Sequence, residues 1–237
     1  EFYIKNIRIE RAEFDDVLKY VENLAKKIPP VEKFYIKKTK IPTTMKKLKK
    51  GEKLRIVMLG DSIINDMGNS FFDVLLKKKY PKSKIDVVTS VRGGTGCWYY
   101  EKENRVKEFV IDYNPDLLII GGISHKNDIE AIRNVIRKVR KRINPEILLL
   151  TGAIGSNGDP RKNKEWTFEI KEGTYRDKLK KLSEEENTEF FDIEAYWGKY
   201  IMNSNLPYDT FLRDSVHANE YGKTVLSFLL YYFFLPP

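Results

Sequence analysis

Cysteine, histidine and long apolar runs are all scarce in this chain. One cysteine, Cys97, stands among 237 residues, which excludes an internal disulfide scaffold and any site built from several thiolates. Two histidines, His125 and His217, exclude a histidine-rich metal centre. The most apolar stretch, residues 225–235, is interrupted by Ser227 and falls far short of the ~20 residues a membrane span needs; it reads as a buried terminal helix. What is present points to a packed domain. Hydrophobic residues make up 41% and charged residues 32%, enough apolar material for a core and against a disordered chain. The 43 basic residues outnumber the 34 acidic ones, for a net charge of +9, which favours an acidic partner but says little about fold. The chain begins Glu-Phe-Tyr without a visible signal peptide. A mature chain, a fragment and an added cloning sequence therefore stay open, as do a cytoplasmic and a secreted location.

Two zones divide the sequence. Residues 1–53 form a basic arm, expected as a helix plus an extended segment. Within 10–27, Phe14, Val17, Leu18, Val21 and Leu24 recur at helical spacing, and Pro29-Pro30 ends the pattern. Residues 37–53 carry eight lysines and one acid, and nearby prolines and Thr43-Thr44 favour extended chain. Such an arm is expected to pack along the domain as a solvated strap; an acidic-polymer surface is the alternative, although no nucleic-acid motif accompanies it. From 54 to 237, short continuous apolar runs at 54–59, 85–89, 117–120, 147–151 and 190–193 alternate with helical patterns at 70–80, 101–113, 128–143, 173–187 and 219–234. Continuous rather than alternating runs fit strands covered on both faces. The expectation is a three-layer α/β/α sandwich around a five-stranded parallel sheet, flavodoxin-like in architecture.

In such a sheet, chemistry gathers at the carboxyl ends of the strands. Gly60-Asp61-Ser62 follows the first run, Gly93-Gly94-Thr95-Gly96 the second, and Gly121-Gly122-Ile123-Ser124-His125-Lys126-Asn127-Asp128 the third. A polar loop, 152–164, follows the fourth and is expected at the pocket rim. After the fifth, a longer connection ends in Asp214-Ser215-Val216-His217. A serine nucleophile needs an imidazole to accept its proton and a carboxylate to fix the imidazole tautomer. Asp214 and His217, three apart on one turn, are a pre-assembled pair of that kind. No Gly-x-Ser-x-Gly elbow, dinucleotide fingerprint, P-loop lysine or glycosidase carboxylate pair is apparent.

These residues, from about 54 to the C-terminus, resemble the SGNH hydrolases of the GDSL type. The resemblance implies an SGNH hydrolase fold with Ser62 as nucleophile, His217 as general base and Asp214 as its orienting acid. It implies an oxyanion hole built from the backbone N–H groups of Ser62 and Gly96 and from an asparagine side chain in the third turn. Here the third turn departs from the family's Gly-x-Asn-Asp. Ser124 takes the aligned place, with Asn127 three residues later as the alternative donor; Asp128 reads as a helix cap, which favours Ser124. Asp61, Trp98 and His125 are candidate substrate contacts, and Trp98-Tyr99-Tyr100 either packs in the core or offers a stacking platform. The implied activity is hydrolysis of a short acyl ester, with acetyl on a carbohydrate foremost, through an acyl-enzyme that requires no metal and no cofactor. Lipid esters or thioesters are alternative substrates, and a non-catalytic module that binds an acidic polymer or glycan is the alternative function. Oligomeric state stays open.

Overall fold

The structure of the protein, a computed structural model, describes residues 13–153 and 158–236. Five parallel strands form one sheet: β1 (Lys53–Gly60), β2 (Lys84–Val91), β3 (Leu117–Ile120), β4 (Glu146–Leu150) and β5 (Glu189–Phe191), in the order β2-β1-β3-β4-β5. Register pairs Gly60 with Val91 and Leu59 with Ile120, so β1, β2 and β3 end level. The strand order reverses direction between β1 and β3, and that switch point opens a crevice at their carboxyl ends.

Strand residues point alternately to the two faces. Ile56 and Met58 of β1 join one core, and Val57 and Leu59 join the other. The first core is covered by α3 (Ser62–Gly68), α4 (Phe72–Lys79), α9 (Ile193–Asn203) and α10 (Glu220–Phe233). The second is covered by α5 (Cys97–Tyr100), α6 (Arg105–Phe109), α7 (Ile129–Arg140) and α8 (Tyr175–Glu185). Helix α7 shows why these segments fold so: Ala131, Ile132, Val135, Ile136 and Val139 recur along one buried face. All four residues of β3 are buried, each worth roughly 1.5–3 kcal/mol of burial. The three-layer α/β/α expectation holds.

Four elements differ from the sequence reading. Residues 62–68, given no element in the sequence reading, form α3, and Ile193 opens α9 rather than ending a strand. The helix expected at 101–113 is two short pieces, α6 and a 3-10 turn at Ile111–Tyr113, with α5 just before them. The lysine-rich stretch is not extended. Helix α2 (Pro42–Lys50) occupies it, with Pro42 in the first turn and Gly51 as a left-handed C-cap at φ 76°. Proline is pre-organised for a first helical turn and glycine for a left-handed end, a pattern outweighed in the sequence by the threonine pair. Helix α1 (Phe14–Ala25) matches the expected arm helix, whose first residues, 10–12, lie outside the described residues.

The arm is fastened at the amino ends of the strands, opposite the crevice. The N–H groups of Thr43 and Thr44 each donate to the Glu146 carboxylate at 2.7 Å. Those of Thr39 and Lys40 donate to Glu189. Lys38 Nζ donates to the carbonyls of Phe233 and Leu235 at the end of α10. Ile28, Val31, Ile41 and Leu48 belong to the same core as β1. Among the described residues no helix is long and apolar enough to cross a membrane.

Candidate active site

The end of β1 delivers Ser62 to the first position of α3. Asp61 is the N-cap in extended conformation, and its Oδ1 accepts from the Ile63 N–H at 2.9 Å. Its Oδ2 reaches across the crevice and accepts from the N–H groups of Ile123 and Ser124, both at 2.7 Å. One buried carboxylate therefore clamps the Ser62 turn to the third turn. Gly122 allows the approach: its φ is 112°, and a Cβ there would lie 2.4 Å from Asp61 Oδ1. Asp61, expected against substrate, instead spends its oxygens on three backbone N–H groups.

His217 arrives from the other end of the chain. Residues 212–218 fold into a small loop closed by an antiparallel bridge between Leu212 and Ala218. His217 Nε2 lies 2.8 Å from Ser62 Oγ, while its Nδ1 lies 2.9 and 2.8 Å from the two Asp214 oxygens. Nδ1–H thus donates to Asp214, leaving Nε2 as the acceptor for the serine proton. Asp214 is itself fixed by the N–H groups of Val216 and His217, each donating to Oδ1 at 2.9 Å. The Val216 N–H and then the His217 ring hold its carboxyl down at about 2.

Asp66 holds the two halves together. It lies one helical turn beyond Ser62 and is 1% exposed. Oδ1 accepts from Arg213 Nη1 at 2.8 Å and Oδ2 from the Ala218 N–H at 3.0 Å. Arg213 and Ala218 bracket the Asp214–His217 turn, so Asp66 ties the His217 loop to the Ser62 helix. Sequence reasoning missed it. The available signal was its i+4 spacing from Ser62, legible only once 62–68 is known to be helical.

The second and third turns meet behind Ser62. A Cβ on Gly96 would lie 2.7 Å from both His125 Cα and Ser124 O, so only glycine fits between them. His125 is buried, with Nε2 3.0 Å from the Gly121 carbonyl and Nδ1 accepting from the Cys97 N–H at 3.2 Å. Burial lowers its pKa, consistent with a neutral ring whose Nε2–H donates to Gly121. His125 borders a cavity beside the third turn, and both of its nitrogens are occupied inside the fold, so it braces one turn against the other. Trp98 is half-buried and its Nε1–H donates to Ser124 O at 2.8 Å, while Lys126 Nζ sits 4.6 Å over its ring. Its position is beneath the third turn, not an open platform. Tyr100 is fully buried, its hydroxyl donating to Gly60 O at 2.6 Å and accepting from the Arg92 N–H at 2.8 Å. It fixes the second turn to the end of β1, a contact the sequence did not signal.

Ser124 has its N–H on Asp61 and its carbonyl under Trp98. Asn127 is exposed in left-handed conformation at φ 59°. Of the 152–164 loop, residues 154–157 lie outside the described residues, and Gly152 borders a cavity beside the third turn. Cys97 is buried and its thiol pushed up by burial. Among the described residues no group of three or more Asp, Glu, His or Cys could hold a metal ion.

No family model and no curated relative matches the chain. Solved structures do. A two-domain esterase (CEX) active on acetylated mannans, co-crystallised with mannopentaose, superposes with a TM-score of 0.63 at 17% identity over 82% of this chain and 52% of its own. This chain thus spans about half the length of that esterase. Axe2, an acetylxylan esterase from Geobacillus stearothermophilus, superposes with a TM-score of 0.56 at 22% identity over 75% of this chain and 92% of its own. A point mutant of Axe2, described as an acetyl-xylooligosaccharide esterase, gives a TM-score of 0.58 at 20% identity over the same shares, 75% and 92%. Sheet order, flanking helices and superposition agree that this chain has the three-layer α/β/α fold of these esterases, the fold that the resemblance of its strand-end motifs implies.

Proposed function

We propose that the protein is a serine esterase that removes a short acyl group, acetyl foremost, from a carbohydrate ester. The observation that carries this is the unbroken chain of hydrogen bonds from Ser62 Oγ through His217 to Asp214, with distances of 2.8–2.9 Å. That is the arrangement a serine needs to act as a nucleophile at neutral pH. Ser62 Oγ attacks the ester carbonyl as Nε2 of His217 takes its proton. The oxyanion is held by the N–H groups of Ser62 and Gly96 and by the Ser124 hydroxyl. Ser124 is favoured over Asn127 because its backbone is anchored on Asp61, the residue before the nucleophile, whereas Asn127 is exposed three residues further on. The imidazolium returns its proton to the leaving alkoxide, and a water activated by the same nitrogen releases the acid. Each oxyanion donor removed costs about 10²–10³-fold in rate.

The carbohydrate assignment draws on the structural neighbours, whose names describe esterases of acetylated mannan and xylan. The test is acetate release from acetylated xylo- and manno-oligosaccharides, and from p-nitrophenyl acetate, by wild type and Ser62→Ala. Wild type should turn over all classes and Ser62→Ala none above background. Equal rates in both proteins would overturn the reading.

A further inference from the structure

The amino ends of the strands carry a strongly positive face. Lys46, Lys49 and Lys50 belong to α2, Lys53 opens β1, and Lys82 and Lys84 lead into β2; all six are exposed. Contacts make them one surface. A Cβ on Gly51 would lie 2.5 Å from Lys82 Cβ. The Ser83 hydroxyl donates to the Leu48 carbonyl at 2.9 Å, and Lys53 and Lys84 are register partners on adjacent strands. We infer that this face docks on the surface of an anionic phospholipid bilayer. The inference does not depend on the esterase reading, since the face lies at the opposite pole from Ser62 and His217.

The charge of this face is not spent within the fold. Among the described residues none of the six lysines has an ion-pair partner. Two neighbouring acids are committed to other cations: Asp116 takes Lys47 and the Arg55 N–H, and Asp86 takes the Arg55 guanidinium. Glu52, exposed between Gly51 and Lys53, offsets one charge of the six. Lys49 and Lys50 also complement the dipole at the end of α2. Lys53 and Lys84 have no such role. Like charges side by side on a sheet repel, and an external anion relieves that repulsion.

The chemistry of the face selects the partner. Arginine forks suit discrete carboxylates and phosphates, but Arg55 is already held by Asp86 and the Tyr113 carbonyl. Lysines on long, mobile stems suit a diffuse anionic surface. An acidic polysaccharide also needs groups that orient its hydroxyls, and the Ser83 hydroxyl is buried against Leu48. Exposed aromatic rings accompany the lysines: Phe14 lines an open hollow with Lys53 and Lys84, and Tyr113 stands beside Arg55. Rings next to lysines are the side chains that settle at a membrane–water interface. Strand β1 runs eight residues from Lys53 to Gly60, about 25 Å. A protein seated on this face therefore holds Ser62 away from the lipid, on the aqueous side.

The test is co-sedimentation of the full chain with vesicles of phosphatidylcholine alone or with about 30% phosphatidylglycerol, at about 50 mM and about 0.5 M salt. Wild type should partition onto the anionic vesicles at low salt, stay off the neutral ones, and leave the anionic ones at high salt. A variant carrying Lys46→Gln, Lys49→Gln, Lys82→Gln and Lys84→Gln should lose about 100-fold or more in partitioning, at roughly fivefold per lysine. A second variant, carrying Lys102→Gln, Lys162→Gln, Lys178→Gln and Lys180→Gln, has the same net charge and should stay within about threefold of wild type. Both should keep the wild-type Tm, since the replaced side chains are exposed. Equal losses in the two variants would reduce the effect to net charge and overturn the inference. So would a wild type that prefers anionic vesicles no more than neutral ones, a comparison that needs no substitution. Wild type that ignores the vesicles yet binds polygalacturonate or a DNA duplex at low salt would replace the bilayer with a soluble polyanion.

Discussion

Asp214 is a biased carboxyl at the candidate site, and its bias bears on the stability of its own loop. The Val216 N–H and the His217 ring hold the carboxyl at about 2, below the ordinary aspartate value. A depressed folded value favours the folded loop above the unfolded pKa, and that contribution is lost only as pH falls toward 2. On the proposed mechanism the ionised Asp214 fixes the imidazole tautomer, so Asp214→Asn should lower kcat/KM about 10³–10⁴-fold at neutral pH; a variant that keeps kcat/KM near wild type would contradict this. Asp66 acts at one remove, as a positioning residue. Asp66→Asn takes the Asp66 acceptor from either the Arg213 guanidinium, which keeps the Ala218 carbonyl, or the Ala218 N–H. It should cost about 1–3 kcal/mol of stability, and kcat should fall about 10–100-fold through misplacement of the base. KM stays near wild type if the role is positional, whereas a changed KM at constant kcat would argue against it. Ser62, Asp214 and His217 were legible in the sequence because their chemistry is interdependent and their spacing unusual. Asp66, Tyr100 and His125 were not, because a buried carboxylate, phenol or imidazole that holds backbone together has no signature until the turns are placed.

At the scale of elements, the strands were the most legible part. Continuous apolar runs at 54–59 and 117–120 have no other comfortable home than a sheet covered on both faces, and both are strands. Short helices fared worse. Gly60-Asp61-Ser62 reads as a turn, and the seven residues of α3 offer too little periodicity to overrule that. Helix α2 was hidden for a different reason: nine residues with four lysines have little intrinsic stability alone. What supports it is tertiary. The Glu146 carboxylate at the foot of β4 accepts from Thr43 and Thr44 in its first turn, where free N–H groups and the helix dipole favour an anion, and Leu48 is buried. Glu146→Gln should lower stability by about 1–2 kcal/mol in urea unfolding while leaving ester hydrolysis unaltered, because Glu146 is at the opposite end of its strand from the crevice. A loss of activity larger than the loss of folded protein would show that the arm reaches the site by a route absent from this account.

The molecule as a whole is polarised. Exposed Lys46, Lys49, Lys50, Lys82 and Lys84 lie around the amino ends of the strands, without ion pairs among the described residues, and much of the +9 net charge is thereby kept away from the triad. The carboxyl ends carry the glycines that let the turns touch, the Ser62–His217–Asp214 set, and the cavity beyond the third turn. The fold itself is the link, since the level ends of β1 and β3 set Ser62 beside the third turn and α10 brings the His217 loop back from the far end of the sequence. The account stands or falls on Ser62 becoming covalently acylated. The direct measurement is to mix the protein with p-nitrophenyl acetate, quench in acid within the first turnovers, and map the acetyl group by peptide mass spectrometry. A Ser62 nucleophile puts acetyl on Ser62 in the wild type and none at that peptide in Ser62→Ala. Rapid p-nitrophenol release with no acetyl on Ser62, or acetyl accumulating on another residue in both proteins, would contradict it.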